Sequence, residues 1–112
     1  MDCIFCKIIS RQIPASIIYE DDKVLAFNDI SPKAPVHVLV IPKTHVDTVD
    51  ELADMSVVAD LFLVMKKIAA EQGIDKSGYR IVVNQGHDAG QAVPHLHFHL
   101  LGGRSLLGLS IF

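Results

Sequence analysis

The segment His95-Leu96-His97-Phe98-His99-Leu100-Leu101 carries a histidine at every second position with an apolar residue between. Successive side chains of an extended strand point to opposite faces, so the spacing predicts a strand over residues 95–101. His95, His97 and His99 then share one face, and Leu96, Phe98 and Leu100 share the other. One face can feed a core while the other lines a site. A lone histidine in such a strand is commonly a polar residue packed on its neighbours. Three on one face are harder to explain that way, because each ring titrates near about 6.5 and three protonated rings would repel one another. Metal binding, acid–base work and phosphorus or acyl chemistry are the readings left open.

With 112 residues, half of them apolar, the chain is expected to form a single domain over residues 1–112 with a small core. A formal charge of -3 offers no basic field to a nucleic-acid backbone, which argues against a polymeric DNA or RNA partner but leaves a nucleotide monomer open. No run of about 18 apolar residues spans a bilayer, and the amino end lacks a basic stretch followed by an apolar one. A cytoplasmic location and no membrane partner are therefore expected. Cys3 and Cys6 stand too close in sequence for a disulfide to close a useful loop, so reduced thiols are expected.

Asp2 is a candidate cap for a short helix over Cys3 to Arg11, with Ile4, Phe5, Ile8 and Ile9 as its apolar side and Pro14 as its stop. Ile17 to Glu20 and Lys23 to Asn28 read as a hairpin about Asp21-Asp22, and Val36 to Ile41 as a β-branched strand ended by Pro42. From Met55 to Gln72 the apolar residues Val58, Leu61, Phe62, Met65, Ile68 and Ala69 recur at helical spacing, with Asp54 as cap and Gly73 as stop. Tyr79 to Asn84 reads as a further strand, followed by a polar loop from Gln85 to Pro94. The order predicts an α+β fold: a five-stranded, mainly antiparallel sheet with a short N-terminal helix and one long helix, both on one face.

The histidine strand, the Gly90-Gln91 turn before it, the Leu101-Gly102-Gly103-Arg104 exit and the Asp29-Ile30-Ser31-Pro32 loop together resemble the histidine-triad (HIT) superfamily. Ala26 to Pro32, the strand His37 to Pro42 and the Gly-Gly-Arg exit look like the Hint branch, whose members are nucleoside phosphoramidate hydrolases. The resemblance implies that His97 attacks the α-phosphorus of a purine nucleoside 5'-phosphoramidate, or of an acyl-nucleotide as an alternative substrate, forming a nucleotidyl-imidazole that water then hydrolyses. It also implies that the backbone carbonyl of His95 fixes the His97 tautomer, that His99 reaches a phosphate oxygen, and that His37 approaches the same site. His99, His37 or water would protonate the departing amine if His95 binds metal. Asn84 and the Gly90-Gln91 backbone would supply neutral donors to the developing charge. Asp29 would accept the ribose hydroxyls, and Ile30, Phe27, Phe5 and Ile4 would sandwich the purine. No metal is required for that chemistry.

Several HIT proteins with a Cys-x-x-Cys bind zinc there, which implies a closed structural set of Cys3, Cys6, His45 and His95; packing of two reduced cysteines as small apolar residues is the alternative. The chain departs from the phosphoramidate branch at Ala92, where a serine thought to help protonate the amine is usual. It departs again at Pro94, which replaces an aromatic, and at Leu106 to Phe112, which lacks the tryptophan tail of the animal branch. His87 reads as a solvated loop residue. The family further implies a homodimer through an edge strand or the long helix, with Val58, Leu61, Phe62 and Met65 as apolar surface to share. Two other functions stay open: a dinucleoside polyphosphate hydrolase, against which the Gly-Gly-Arg exit argues, and a zinc-stabilised nucleotide sensor or scaffold, which Ala92 keeps in view.

Overall fold

The computed structural model describes residues 3–109. Its elements are α1 (Ile4–Ile9), β1 (Ile17–Glu20), β2 (Val24–Asn28), β3 (Val36–Pro42), α2 (Ser56–Glu71), β4 (Tyr79–Val82) and β5 (Phe98–Gly102), with short 3-10 turns at Val49–Glu51 and His87–Ala89. The strands form one sheet in the order β1-β2-β3-β5-β4, and every neighbouring pair is antiparallel. The expected α+β architecture is thus present. Among the described residues no helix is long and apolar enough to cross a membrane.

β2 and β3 are apolar on both faces, so the sheet needs cover on both. Val24, Ala26, Val38 and Val40 pack against Leu61, Val64, Met65 and Ile68 of α2. Leu25, Phe27, Leu39 and Ile41 pack instead with Phe5 and Ile8 of α1. The helices therefore lie on opposite faces, which corrects the expectation that both lie on one. Leu61 and Met65 are wholly buried in this chain's own core, so of the four residues expected to be shared with a second copy they are unavailable, whereas Phe62 stays 45% exposed.

Local chemistry sets the element ends. Cys3 occupies the cap position of α1, its Sγ accepting the Cys6 N–H at 3.4 Å; the candidate cap Asp2 lies outside the described residues. Arg11 adopts a left-handed φ of 65°, so α1 ends at Ile9 and Ser10 rather than running to Arg11. Asp21 Oδ1 accepts the N–H groups of both Lys23 and Val24, which holds Lys23 in the turn and starts β2 at Val24. Asp54 Oδ1 accepts the Ser56 N–H at 2.9 Å, and Gly73, with φ 74°, follows the last turn of α2.

The histidine strand is shorter than its alternation suggests. Its ladder begins at Phe98, because the Leu96 N–H bonds the Val46 carbonyl and the His95 N–H bonds the Val93 carbonyl. β4 correspondingly stops at Val82, opposite His99, and not at Asn84. At the exit a Cβ on Gly102 would lie 2.8 Å from Ile74 Cδ1, and Gly103 turns with φ 97° against Pro35. This close approach brings Arg104 over the loop after β2, where its Nη2 donates to the Lys33 carbonyl at 3.0 Å.

Candidate active site

Face alternation survives the loss of regular ladder before Phe98. Leu96, Phe98 and Leu100 enter the α2-side core, while the histidines turn toward α1. All are buried: His95 0%, His97 6% and His99 9% exposed, with His37 of β3 at 3%. Burial pushes each of the four rings below the ordinary histidine value, and His99, beside the rings of His97 and His37, falls to about 4. All four are neutral near pH 7.

Neutral rings make the tautomer the decisive property. His97 Nδ1 lies 2.7 Å from the His95 carbonyl, an oxygen that can only accept. The proton is therefore on Nδ1 and the Nε2 lone pair is available as a nucleophile. Phe5 of α1 packs edge-on against His97 at 5.1 Å and against His95 at 5.9 Å between ring centres, fixing both planes.

Among the described residues two groups of donors lie close enough to hold a metal, and tautomers separate them. In the first, the His95 Nδ1 is 3.4 Å from Cys3 Sγ, 3.7 Å from Cys6 Sγ and 3.1 Å from His45 Nδ1, and Cys6 Sγ is 3.3 Å from His45 Nδ1. The outer nitrogens are occupied: His95 Nε2 donates to the Pro42 carbonyl at 2.9 Å, and His45 Nε2 to Asp47 Oδ1 at 3.0 Å. Both inner Nδ1 atoms thus present lone pairs to each other at 3.1 Å, a repulsive arrangement that a shared cation converts into binding. A tetrahedral zinc would set N–S and N–N separations of about 3.6 and 3.3 Å. Cys3, Cys6, His45 and His95 fit that set. Burial, with the Cys3 sulfur beside it, pushes the Cys6 thiol up, so metal binding there would release a proton.

The second group is Asp29, His37 and His99. His37 Nε2 lies 3.0 Å from His99 Nδ1 and 3.5 Å from Asp29 Oδ2. Here the Lys33 backbone N–H donates to His37 Nδ1 at 3.0 Å. That bond occupies the only lone pair of the neutral ring and keeps its proton on Nε2, the atom a metal would need. The arrangement suits hydrogen bonding rather than metal ligation.

A cavity of about 460 Å³ opens on the α1 side and gathers the five residues expected to hold a purine and ribose: Ile4, Phe5, Phe27, Asp29 and Ile30. Its size suits a small ligand. Phe5 also touches His97, and Leu39 of the cavity wall is paired with His99 across β3 and β5, so cavity and histidine face adjoin. Ile30 is 99% exposed at the rim, and Asp29 Oδ1 already accepts the Ser31 N–H at 2.7 Å, which fixes the carboxylate.

The loop after β4 is arranged differently from expectation. The N–H groups of Gly90 and Gln91 donate to the His87 and Gly86 carbonyls, so both are spent within the loop. Gln91 acts as a staple: its Oε1 accepts from Gly86 N–H, and its Nε2 donates to the Asp47 and Val93 carbonyls. Asn84 is half-buried beyond β4, and among the described residues its side chain makes no hydrogen bond. Ala92 is exposed beside Val93, which lines the cavity. His87 is fully exposed, as expected of a solvated loop residue.

Sequence reasoning missed Ile8, Ile13, Leu39 and Val93 as cavity wall and Asp47 as the partner of His45. Leu39 was accessible, since it shares a strand face with His37. The role of the Lys33 amide was not, because a backbone donor leaves no trace in residue type.

The HIT domain family matches residues 10–106. The chain is 46% identical over 107 residues to the purine nucleoside phosphoramidase of Escherichia coli strain K12, an alignment covering 94% of this chain and 90% of that protein. A solved histidine triad protein from Clostridium difficile superposes with a TM-score of 0.91 at 51% identity, covering 95% of this chain and 94% of that one. A HIT family hydrolase from Legionella pneumophila superposes at 0.90 with 44% identity, covering 94% and 96%.

Proposed function

The chain belongs to the HIT domain family, as an enzyme of that family, and from this premise we propose that it hydrolyses purine nucleoside 5'-phosphoramidates to the monophosphate. The observation that carries the reading is the His97 ring, held by the His95 carbonyl at 2.7 Å with Nε2 unprotonated beside an apolar cavity that contains Asp29. In this reading the purine lies between Ile4, Phe5, Phe27 and Ile30, and Asp29 accepts the ribose hydroxyls. His97 Nε2 bonds to the α-phosphorus as the P–N bond breaks, and the amine leaves with a proton taken from water. Water then attacks the same phosphorus, the N–P bond breaks, and His97 returns to its starting tautomer. His99 donates to a phosphate oxygen, and Asn84 with the loop over Gly90, Gln91 and Ala92 closes that side.

Cys3, Cys6, His45 and His95 would hold zinc in a structural role, tying α1 to the sheet. We place the protein in the cytoplasm, as one domain over residues 1–112 and as a homodimer. Support for the dimer is the edge strand β4 with Phe62, Leu63 and Tyr79 exposed around a cavity of about 520 Å³ on the α2 side. Release of AMP from adenosine 5'-phosphoramidate tests the activity. Undiminished release by His97→Ala would remove the nucleophile, and faster turnover of a diadenosine polyphosphate would replace the substrate class. Tight AMP binding without turnover would favour a sensor, the reading that Ala92 supports.

A further inference from the structure

Inside the fold, Lys33 makes two backbone bonds whose ends reach different parts of the chain. Its N–H donates to His37 Nδ1 at 3.0 Å, and its carbonyl accepts from Arg104 Nη2 at 3.0 Å. Arg104 is delivered there by the turn at Gly103, which packs on Pro35 of the same loop. A backbone N–H can only donate, so His37 Nδ1 can only accept, and in a neutral ring the proton must sit on Nε2. That Nε2 lies 3.0 Å from His99 Nδ1. The same logic then passes to the next ring: His99 Nδ1 accepts, and its proton sits on Nε2.

We propose that Lys33 is a positioning residue whose backbone N–H sets the tautomers of His37 and, through it, His99, and that Arg104 holds this backbone in place. His99 then faces the phosphorus as a neutral Nε2–H donor. It is not a general acid: surrendering the Nε2 proton would leave an anionic ring, because the Lys33 amide behind His37 gives up no proton. Protonating His99 at Nδ1 would set two N–H groups against each other. Burial of both rings works in the same direction. His99 therefore stabilises charge as a fixed dipole, the role of an oxyanion donor, and the amine's proton comes from elsewhere. This role for His99 rests on the phosphoramidate reading; the tautomers do not.

The test is nitrogen NMR of the histidine rings at pH 7 in the full chain, alongside kinetics on adenosine 5'-phosphoramidate. In the wild-type protein His37 and His99 should both show Nδ1 unprotonated and Nε2 protonated, opposite to His97. Finding His37 or His99 as the Nδ1–H tautomer, or either as imidazolium, overturns the proposal whatever the kinetics. Lys33→Pro removes the donor and should release His37 to mixed tautomers, with kcat down about 100-fold and KM changed less than about threefold. Arg104→Gln, which keeps the Lys33 amide, should give the same direction to a smaller degree, and Arg104→Lys should restore it. Unchanged tautomers in a folded Lys33→Pro variant, or in Arg104→Gln should Lys33→Pro not fold, overturn the relay. The expected tautomers in a protein that releases no AMP would refute the phosphoramidate reading alone.

Discussion

Zinc buffering offers a quantitative test of the Cys3, Cys6, His45 and His95 set. Four of the six donor separations in the set, 3.1 to 3.7 Å, bracket the nitrogen–nitrogen and nitrogen–sulfur edges of a zinc tetrahedron at about 3.3 and 3.6 Å, and all four donors lie within 4.8 Å of one another, so the ligands are already gathered for binding. A ligand that binds only the folded state stabilises it by about 1.4 kcal/mol for each tenfold rise in free concentration above its dissociation constant. At about 2.1 cal/mol/K per residue, the 112-residue chain unfolds with an entropy of about 0.24 kcal/mol/K. The melting temperature should then climb about 6 °C per decade of free zinc. Scanning calorimetry in zinc buffers across three decades reads this slope, and elemental analysis should return one zinc per chain. Cys6→Ser replaces a soft ligand with a hard one and should shift the climb to higher zinc concentrations. A melting temperature flat across all three decades, or a curve unmoved by Cys6→Ser, would refute the assignment.

Acid should loosen the fold through His99. Its pKa falls from about 6.5 in the unfolded chain to about 4 in the folded one, so between those values the unfolded chain binds the extra proton. This contribution is complete above about pH 6.5 and is lost as pH drops through 4, amounting to about 3 kcal/mol; it adds to the losses of the same sign from His37, His95 and His97, so urea midpoints at pH 7 and pH 4.5 should differ by at least that much, and His99→Gln should shrink the difference without abolishing it. Ala92→Ser places a hydroxyl beside the cavity and should raise kcat for substrates with poor amine leaving groups about tenfold or more, whereas an unchanged ratio between good and poor leaving groups would show that the position plays no part in proton transfer. Phe62→Glu puts a charge on the exposed apolar face beside β4 and should convert a dimer to a monomer by light scattering at micromolar concentration; an unaltered mass would move the interface elsewhere.

Much of this was legible in residue order. The two-residue alternation of the histidine segment correctly separated His97 from Phe98 by face even though regular pairing starts only at Phe98, because face alternation needs extended backbone and not a hydrogen-bonded ladder. The spacing in α2 correctly marked Leu61, Met65 and Ile68 as one stripe, but could not say whether that stripe met this chain's own sheet or a second copy. The expectation of both helices on one face fails because β2 and β3 are apolar at successive positions, a pattern that demands cover on both sides of the sheet.

Residue order alone tells which residue types share a face and which segments extend or coil, since both follow from the fixed geometry of the backbone over a few residues. The separate duties of the histidines arise from contacts made in the folded chain. His95 meets cysteines 89 and 92 positions away, and His37 meets His99 across 62, distances no local period encodes. A ring's role depends on which nitrogen keeps the proton, and that is set by the carbonyls of Pro42 and His95, the carboxylate of Asp47 and the amide of Lys33. Three of those four groups are backbone, common to nearly every residue, so their effect arises from position in the fold and not from the identity of the side chain that bears them.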